Sequence, residues 1–283
     1  MDMEANLRTL GPNEAQVVLS LRLQSQNVVK AAEIIDLLGS EPKARKVIRN
    51  LIRKGWLSRL LPGRYMFLPP EHGPENLGEN NVLALASAVI EPSYVGWWRA
   101  ASFHGFTTQK PMSVAVASLR QVPTQLIEGT KVRFVKVAER KFFGFATYQL
   151  HGREVSISTP AKTVVDCVDR PELAGGPAEV ARIVAGAASS VEPDELLAVA
   201  LRLKSKALWQ RLGFLADLVN WQWGADVREK LRAAIPKSQR SVFGPKERRP
   251  GDIGYVSDWG LFVNLPARQL LADVQRARHD QTS

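Results

Sequence analysis

Residues 40–56 read SEPKARKVIRNLIRKGW. At 3.6 residues per turn, Ala44, Val47, Ile48, Leu51 and Ile52 fall on one broad face of a helix. Lys43, Lys46, Arg49, Asn50 and Arg53 fall on the opposite face, with Arg45 and Lys54 near its edges. No acidic residue stands between Lys43 and Lys54, whereas a helix that needs only solubility mixes Glu among its Lys and Arg. A helix of this kind docks on a small core by its apolar side and turns groups suited to phosphates and base edges outward. The alternative is an ordinary solvated basic face, and the flanking sequence decides between the two.

Upstream, residues 13–24 carry Ala15, Val18, Leu19 and Leu21 to Leu23 after a Gly-Pro-Asn start signal. Residues 28–38 form a second apolar set that stops at Gly39, a residue suited to the left-handed position after a helix. Ser40 then caps the third helix, with Glu41 and Pro42 in its first turn. The short step from Leu38 to Glu41 is that of a helix-turn-helix. Downstream, residues 56–60 and 64–68 are short apolar runs around Leu61-Pro62-Gly63, the pattern of a β-hairpin. Three helices and a two-stranded wing make a winged helix-turn-helix, whose second turn helix normally enters the major groove. The residues placed to contact DNA are Lys43, Arg45, Lys46, Arg49, Asn50, Arg53 and Lys54 on the helix, and Arg59 and Arg64 on or beside the wing. A winged helix is also used for protein contacts, and that alternative stays open.

The chain has 283 residues, about two domains' worth. With 45% hydrophobic and 23% charged residues it belongs with packed globular proteins rather than disordered ones. Net charge is +10, and residues 1–70 alone hold eleven Lys/Arg against six Asp/Glu. That balance favours nucleic acid or another acidic surface as partner. The single cysteine, Cys167, excludes an internal disulfide and a metal site built from thiolates, and His72, His104, His151 and His279 are too scattered to suggest one of imidazoles. No cofactor is expected. The polar N-terminus lacks a leader pattern and no apolar run approaches a membrane span, so a cytoplasmic location without membrane contact is expected.

The turn-rich residues 69–74 place a domain boundary, giving a winged helix-turn-helix over 1–70 and a second domain over 75–283. In the second part helices are expected over 80–90 and 97–104, and strands over 113–118, 131–137, 144–150 and 155–158. Helices follow over 161–168, 177–188, 193–203, 207–220 and 225–234. The fold class is therefore α+β, the larger domain combining a small mixed sheet with a helical C-terminal part. Residues 236–250, with five Lys/Arg and one Glu, read as an exposed loop that either adds a second DNA contact or is merely solvated. Residues 254–262 read as an apolar segment packing back, and 265–278 as a terminal helix.

Catalytic signals are sparse. The chain has no P-loop, no GxGxxG and no HExxH, and no catalytic residue is assigned. Cys167 reads as a buried structural thiol and His104 as a helix-end residue beside Gly105. Asp166 and Asp169, three apart on a helix, are the one acidic pair that an enzyme acting on nucleic acid would have available in this domain, and a helix-end role is the competing reading. Of the Trp97-Trp98 and Trp221-Trp223 pairs, each is expected to turn one ring inward and to leave the other near the surface.

Three segments carry a family resemblance: residues 99–106, RAASFHGF; residues 156–176, SISTPAKTVVDCVDRPELAGG; and residues 211–215, RLGFL. With the winged helix in front of them, they resemble the AbiEi-type antitoxins of abortive-infection toxin–antitoxin systems, over roughly residues 13–220. The resemblance implies an autorepressor that binds inverted repeats in its own promoter through the winged helix. It also implies that the second domain counters a nucleotidyltransferase-type toxin, often without a stable complex. The signature residues have structural readings as well: Gly175 and Gly176 as backbone specialists, Thr159-Pro160 as a helix start, and Asp166 with Arg170 as a charge-assisted helix end.

Overall fold

The computed structural model describes residues 9–24, 26, 28–68, 82–127, 129–150, 153–272 and 274. They divide into two compact units, one drawn from residues 1–91, 124–132 and 149–154 and the other from 92–123, 133–148 and 155–283. The expected domain boundary at 69–74 lies outside the described residues.

The first unit begins with α1 (Pro12–Leu23), β1 (Val28–Lys30), α2 (Ala31–Leu38) and α3 (Glu41–Arg53), followed by the hairpin β2 (Leu57–Leu61) and β3 (Arg64–Phe67), then α4 (Val82–Val89). Val17, Val18 and Leu21 of α1, Ile34 of α2, Ala44, Val47, Ile48 and Leu51 of α3, and Trp56, Leu57 and Phe67 of the hairpin close one core. The apolar face read from α3 is thus the buried one, with Ile52 at its exposed margin. Gly39, at φ 63°, supplies the left-handed residue between α2 and α3. The expected helix over 28–38 is corrected at its start. Residues 28–30 form a strand antiparallel to β3, in register Val28 to Met66 and Lys30 to Arg64, and the helix begins at Ala31. Two adjacent β-branched valines favour that choice, and burying Val29 under the wing rewards it. The wing is therefore a three-stranded sheet in the order β1-β3-β2.

The rest of the chain contributes β4 (Ser93–Gly96), α5 (Trp97–Phe103), β5 (Ser113–Ser118), β6 (Gln125–Ile127), β7 (Thr130–Lys136), β8 (Phe145–Leu150) and β9 (Arg153–Ser158). They make a six-stranded sheet in the order β6-β7-β5-β4-β9-β8. It is mixed, as expected, since β4 runs antiparallel to β5 and parallel to β9. The four strands read from the sequence are present, and β4 and β6 add to them. The helical part comprises α6 (Pro160–Asp169), α7 (Pro177–Ala187), α8 (Pro193–Arg202), α9 (Lys206–Leu218) and α10 (Ala225–Ala234). Helix α6 is central, buried from Ala161 through Val168 and packed on α5, α7, α8 and α9.

A third sheet, in the order β10-β12-β11, joins β10 (Ser241–Phe243), β11 (Gly254–Val256) and β12 (Leu261–Val263), and α11 (Ala267–Leu271) follows. This corrects the reading of 236–250 as a loop throughout: β10 pairs parallel to β12 and buries Phe243. A three-residue strand carries too little periodicity to be seen in sequence. Of the terminal helix expected over 265–278, residues 273 and 275–278 lie outside the described residues.

Helix α9 meets this sheet at Gly213. A Cβ there would lie 2.3 Å from Cε3 of Trp259, whose indole N–H donates to Asp217 at 2.7 Å. The indole is buried and held by that bond, so it cannot swing aside. Gly213→Val is expected to destabilise the chain by about 1–3 kcal/mol or more through overpacking, read as a lower urea midpoint.

Candidate nucleic-acid interface

On α3 the side chains of Lys43, Arg45, Lys46, Arg49 and Arg53 are exposed, and Asn50 and Lys54 are half-buried at the margin. Lys43, Lys46 and Arg49 make no hydrogen bond or ion pair among the described residues. Arg45 pairs with Glu41 one turn back, at 2.5 Å, both groups exposed. Arg53 donates to Asn50 Oδ1 at 3.3 Å. On the wing Arg59 is exposed, while Arg64 is half-buried and donates to the carbonyl of Ala88 at 2.8 Å.

Lys54 has work inside the fold. Its ammonium donates to Glu14 Oε2 at 2.5 Å and to the Thr9 carbonyl at 2.8 Å. The same Glu14 oxygen accepts the Gly11 N–H at 2.9 Å, closing the start of α1. Burial pushes the Glu14 carboxyl up, but the bonds from Lys54, Gly11 and Asn50 outweigh it and hold the group below its ordinary value. A carboxyl lowered in the folded state contributes stability that is present above its unfolded value near 4.5 and is lost as pH falls through the folded one. Glu14→Gln is accordingly expected to flatten the acid limb of a stability-versus-pH curve below about pH 4.5. Equal acid slopes for the two proteins would show that the pair does not form.

Helix α3 thus turns its cations outward and seats its apolar side on a closed core. Two family models match the chain. One, described as a transcriptional regulator, AbiEi antitoxin, matches residues 16–67. The other, the AbiEi antitoxin C-terminal domain, matches residues 94–218. This chain belongs to the AbiEi antitoxin family. It is an antitoxin with a regulatory role. Among solved structures it is similar to the RV2827C protein from Mycobacterium tuberculosis, at 18% identity and TM-score 0.67 over 95% of this chain and 96% of that one, which speaks for the fold alone. No curated protein sequence matches it. No helix among the described residues is long and apolar enough to cross a membrane.

In this AbiEi chain the signature segment 156–176 lies around α6, where it sorts its charges into separate pairs. Lys162, wholly buried, donates to Asp166 one turn on and to the Tyr94 hydroxyl at 3.0 Å. That hydroxyl in turn donates to the other Asp166 oxygen at 3.2 Å. Burial pushes the Asp166 carboxyl up and the Lys162 ammonium pulls it back. Asp169 instead accepts from Lys141 and, at 2.9 Å, from the Ser205 hydroxyl. The two carboxylates considered as a pair are thus held by different partners, and no cluster of metal-binding groups forms among the described residues. The expected Asp166–Arg170 pair is also corrected. Arg170 bonds Glu172 at 2.8 Å, because Asp166 faces the core side of α6 and Arg170 lies beyond its end.

Elsewhere in this domain, Glu179 gathers the Trp98 indole N–H at 2.9 Å, the Thr107 hydroxyl at 2.5 Å and Arg182 at 2.8 Å. Gly175, at φ 77°, lets the chain pass within 2.9 Å (measured from a notional Cβ) of Trp98 and Glu179. His104 caps α5 through its backbone N–H, which donates to the Ala100 carbonyl at 2.9 Å, while its ring bonds the Ser158 carbonyl at 2.7 Å and ties α5 to β9. Burial lowers its basicity, so the neutral ring donates there. Cys167 is buried and its thiol is pushed well up, as a structural cysteine's is. Trp221 and Trp223 are both buried, so the second Trp pair leaves no ring at the surface. Sequence reasoning misses Tyr94 and Lys141 as partners of the two carboxylates. The Lys162–Asp166 spacing of four on a helix is the signal that could have found the buried pair.

Proposed function

We propose that the chain is the autorepressor and antitoxin of a toxin–antitoxin operon. In this reading residues 1–70 bind inverted repeats of double-stranded operator DNA in its own promoter, and residues 75–283 counter a nucleotidyltransferase-type toxin in the cytoplasm. The reading gives the chain no catalytic step. The observation that carries it is the outward face of α3, where Lys43, Lys46 and Arg49 have no internal partner and no acid stands among them. Arg45, Asn50 and Arg53 extend that face and Arg59 flanks it on the wing. Lys54 and Arg64 support the interface from within the fold through Glu14 and Ala88. The family descriptions, antitoxin and transcriptional regulator, agree with both halves of the reading.

Footprinting on the chain's own upstream DNA tests the DNA half. The expected result is protection of two repeats whose separation follows the helical turn, with log affinity falling linearly with log salt. Binding no tighter than to unrelated duplex would overturn it. Sequencing the adjoining reading frames and co-expressing residues 75–283 with any nucleotidyltransferase-like product they encode tests the other half, growth rescue being the expected result and the lack of such a frame or of rescue overturning it.

A further inference from the structure

The three-stranded sheet β10-β12-β11 presents an apolar row to solvent. Val242, Phe262 and Tyr255 stand directly opposite one another across the three strands. Each is about two-fifths exposed (39%, 39% and 44%), while their neighbours Phe243, Leu261 and Val263 fill the inner face. The Tyr255 and Phe262 rings lie 4.9 Å apart. Cations frame this row. Arg240 donates to the carbonyls of Lys237 and Gln239 at 2.7 Å, which sets its guanidinium over the Tyr255 ring, 5.4 Å from the centroid. Arg248 lies against Gly254, the residue before Tyr255. Tyr255 also lines a cleft of about 820 Å³, whose charged residues are Arg228, Arg232, Lys237 and Arg240 against Glu229 and Asp258, with Gln239 and Ser257 beside them.

We infer that this face binds single-stranded RNA. Aromatic rings side by side on a sheet, edged by Arg and Lys, stack unpaired bases while the cations follow the phosphates. A duplex offers no free base face to such a row, so this surface is separate in kind from α3. Charge complementarity names a polyanion as the occupant: residues 236–250 carry five Lys/Arg against one Glu. The cleft beside the row favours ribose over deoxyribose. Ser257 and Gln239 can each exchange a hydrogen bond with a 2′-hydroxyl, while the Asp258 carboxylate is held by Arg228 at 3.2 Å and keeps phosphate out of the cleft.

The test uses the full chain and fluorescein-labelled 12-mers of oligouridine and oligodeoxyuridine, read by anisotropy at low salt. The expected result is tighter binding of the RNA, weakened about tenfold or more in Tyr255→Ala/Phe262→Ala. A second variant, Tyr255→Leu/Phe262→Leu, keeps apolar area without rings and is expected to lose RNA equally while its melting temperature holds. Lys46→Ala/Arg49→Ala is expected to keep RNA binding, which separates this site from the operator reading. RNA affinity unchanged in the leucine variant, equal affinity for the two oligomers, or a self-association by light scattering that the same variant abolishes would each overturn the inference.

Discussion

Replacing Lys162 by Met is expected to cost the second domain about 3–5 kcal/mol, enough to unfold much of it at 37 °C. Lys162 has no exposed surface, and its ammonium serves both Asp166 and the Tyr94 hydroxyl within α6 and β4. Truncating one member of a buried pair leaves the other charge without a partner in a region of low polarizability. The carboxyl left behind has no ammonium to pull it back, so its folded value rises further above the unfolded one. Such a group stabilises the fold only while protonated in it, and that contribution is lost as pH rises through the folded value. Lys162→Met is therefore expected to be less stable at pH 8 than at pH 5, the reverse of the acid limb at Glu14. Lys162→Met/Asp166→Leu removes both charges and is expected to recover most of the loss, because an apolar pair of similar volume replaces a buried ion pair at little cost. Urea unfolding of the two variants at both pH values checks this. A single variant as stable as the parent at pH 8 would show that the pair is not the clamp of α6.

The contrast between α3 and α6 explains which parts are readable from sequence. In α3 Ala44, Val47, Ile48 and Leu51 are buried while the cations stand outward, so one strip of letters contains both the packing and the surface. In α6 the polar residues Lys162, Thr163 and Asp166 are buried with the apolar ones. Thr163 bonds nearby Ser158, but the meaning of Lys162 and Asp166 depends on Tyr94, 68 and 72 positions away, and no local pattern reports such a partner. Asp166 and Asp169 show the same limit: three residues apart, they look like neighbours, yet the turn of the helix sends one to Lys162 and the other to Lys141. Very short strands escape for a different reason, unless a turn signal marks them as Pro62-Gly63 marks β3. β1, β4, β6 and β10 are too brief for an alternation to repeat, and each exists through its pairing with the strands beside it. Arg64 illustrates both effects. Its place on the wing is legible, but its bond to the Ala88 carbonyl is not.

On the proposed operator reading, the largest effect on DNA binding is expected at Lys46 and Arg49. They lie three apart on the exposed face of α3, so one turn of helix would present both to the same stretch of groove. Neither has a partner among the described residues, and removing them leaves nothing unsatisfied behind. Losing the hydrogen bonds from one side chain to a base edge costs about 1–3 kcal/mol, so Lys46→Ala/Arg49→Ala is expected to lower operator affinity by roughly 10²–10⁴-fold. If either side chain meets phosphate instead, the loss spreads evenly over all sequences and the salt slope falls by about 0.9 for each. Stability should stay within about 0.5 kcal/mol of the parent, since both are surface positions away from the core. Arg45→Ala provides the internal comparison: its guanidinium is shared with Glu41 at 2.5 Å, so a smaller loss is expected. Lys54→Met provides the other, weakening the fold through Glu14 before it weakens binding. A double variant that melts like the parent and still protects the same repeats at the same concentration would remove α3 from the groove. The winged helix would then have to be read as a surface for protein contacts.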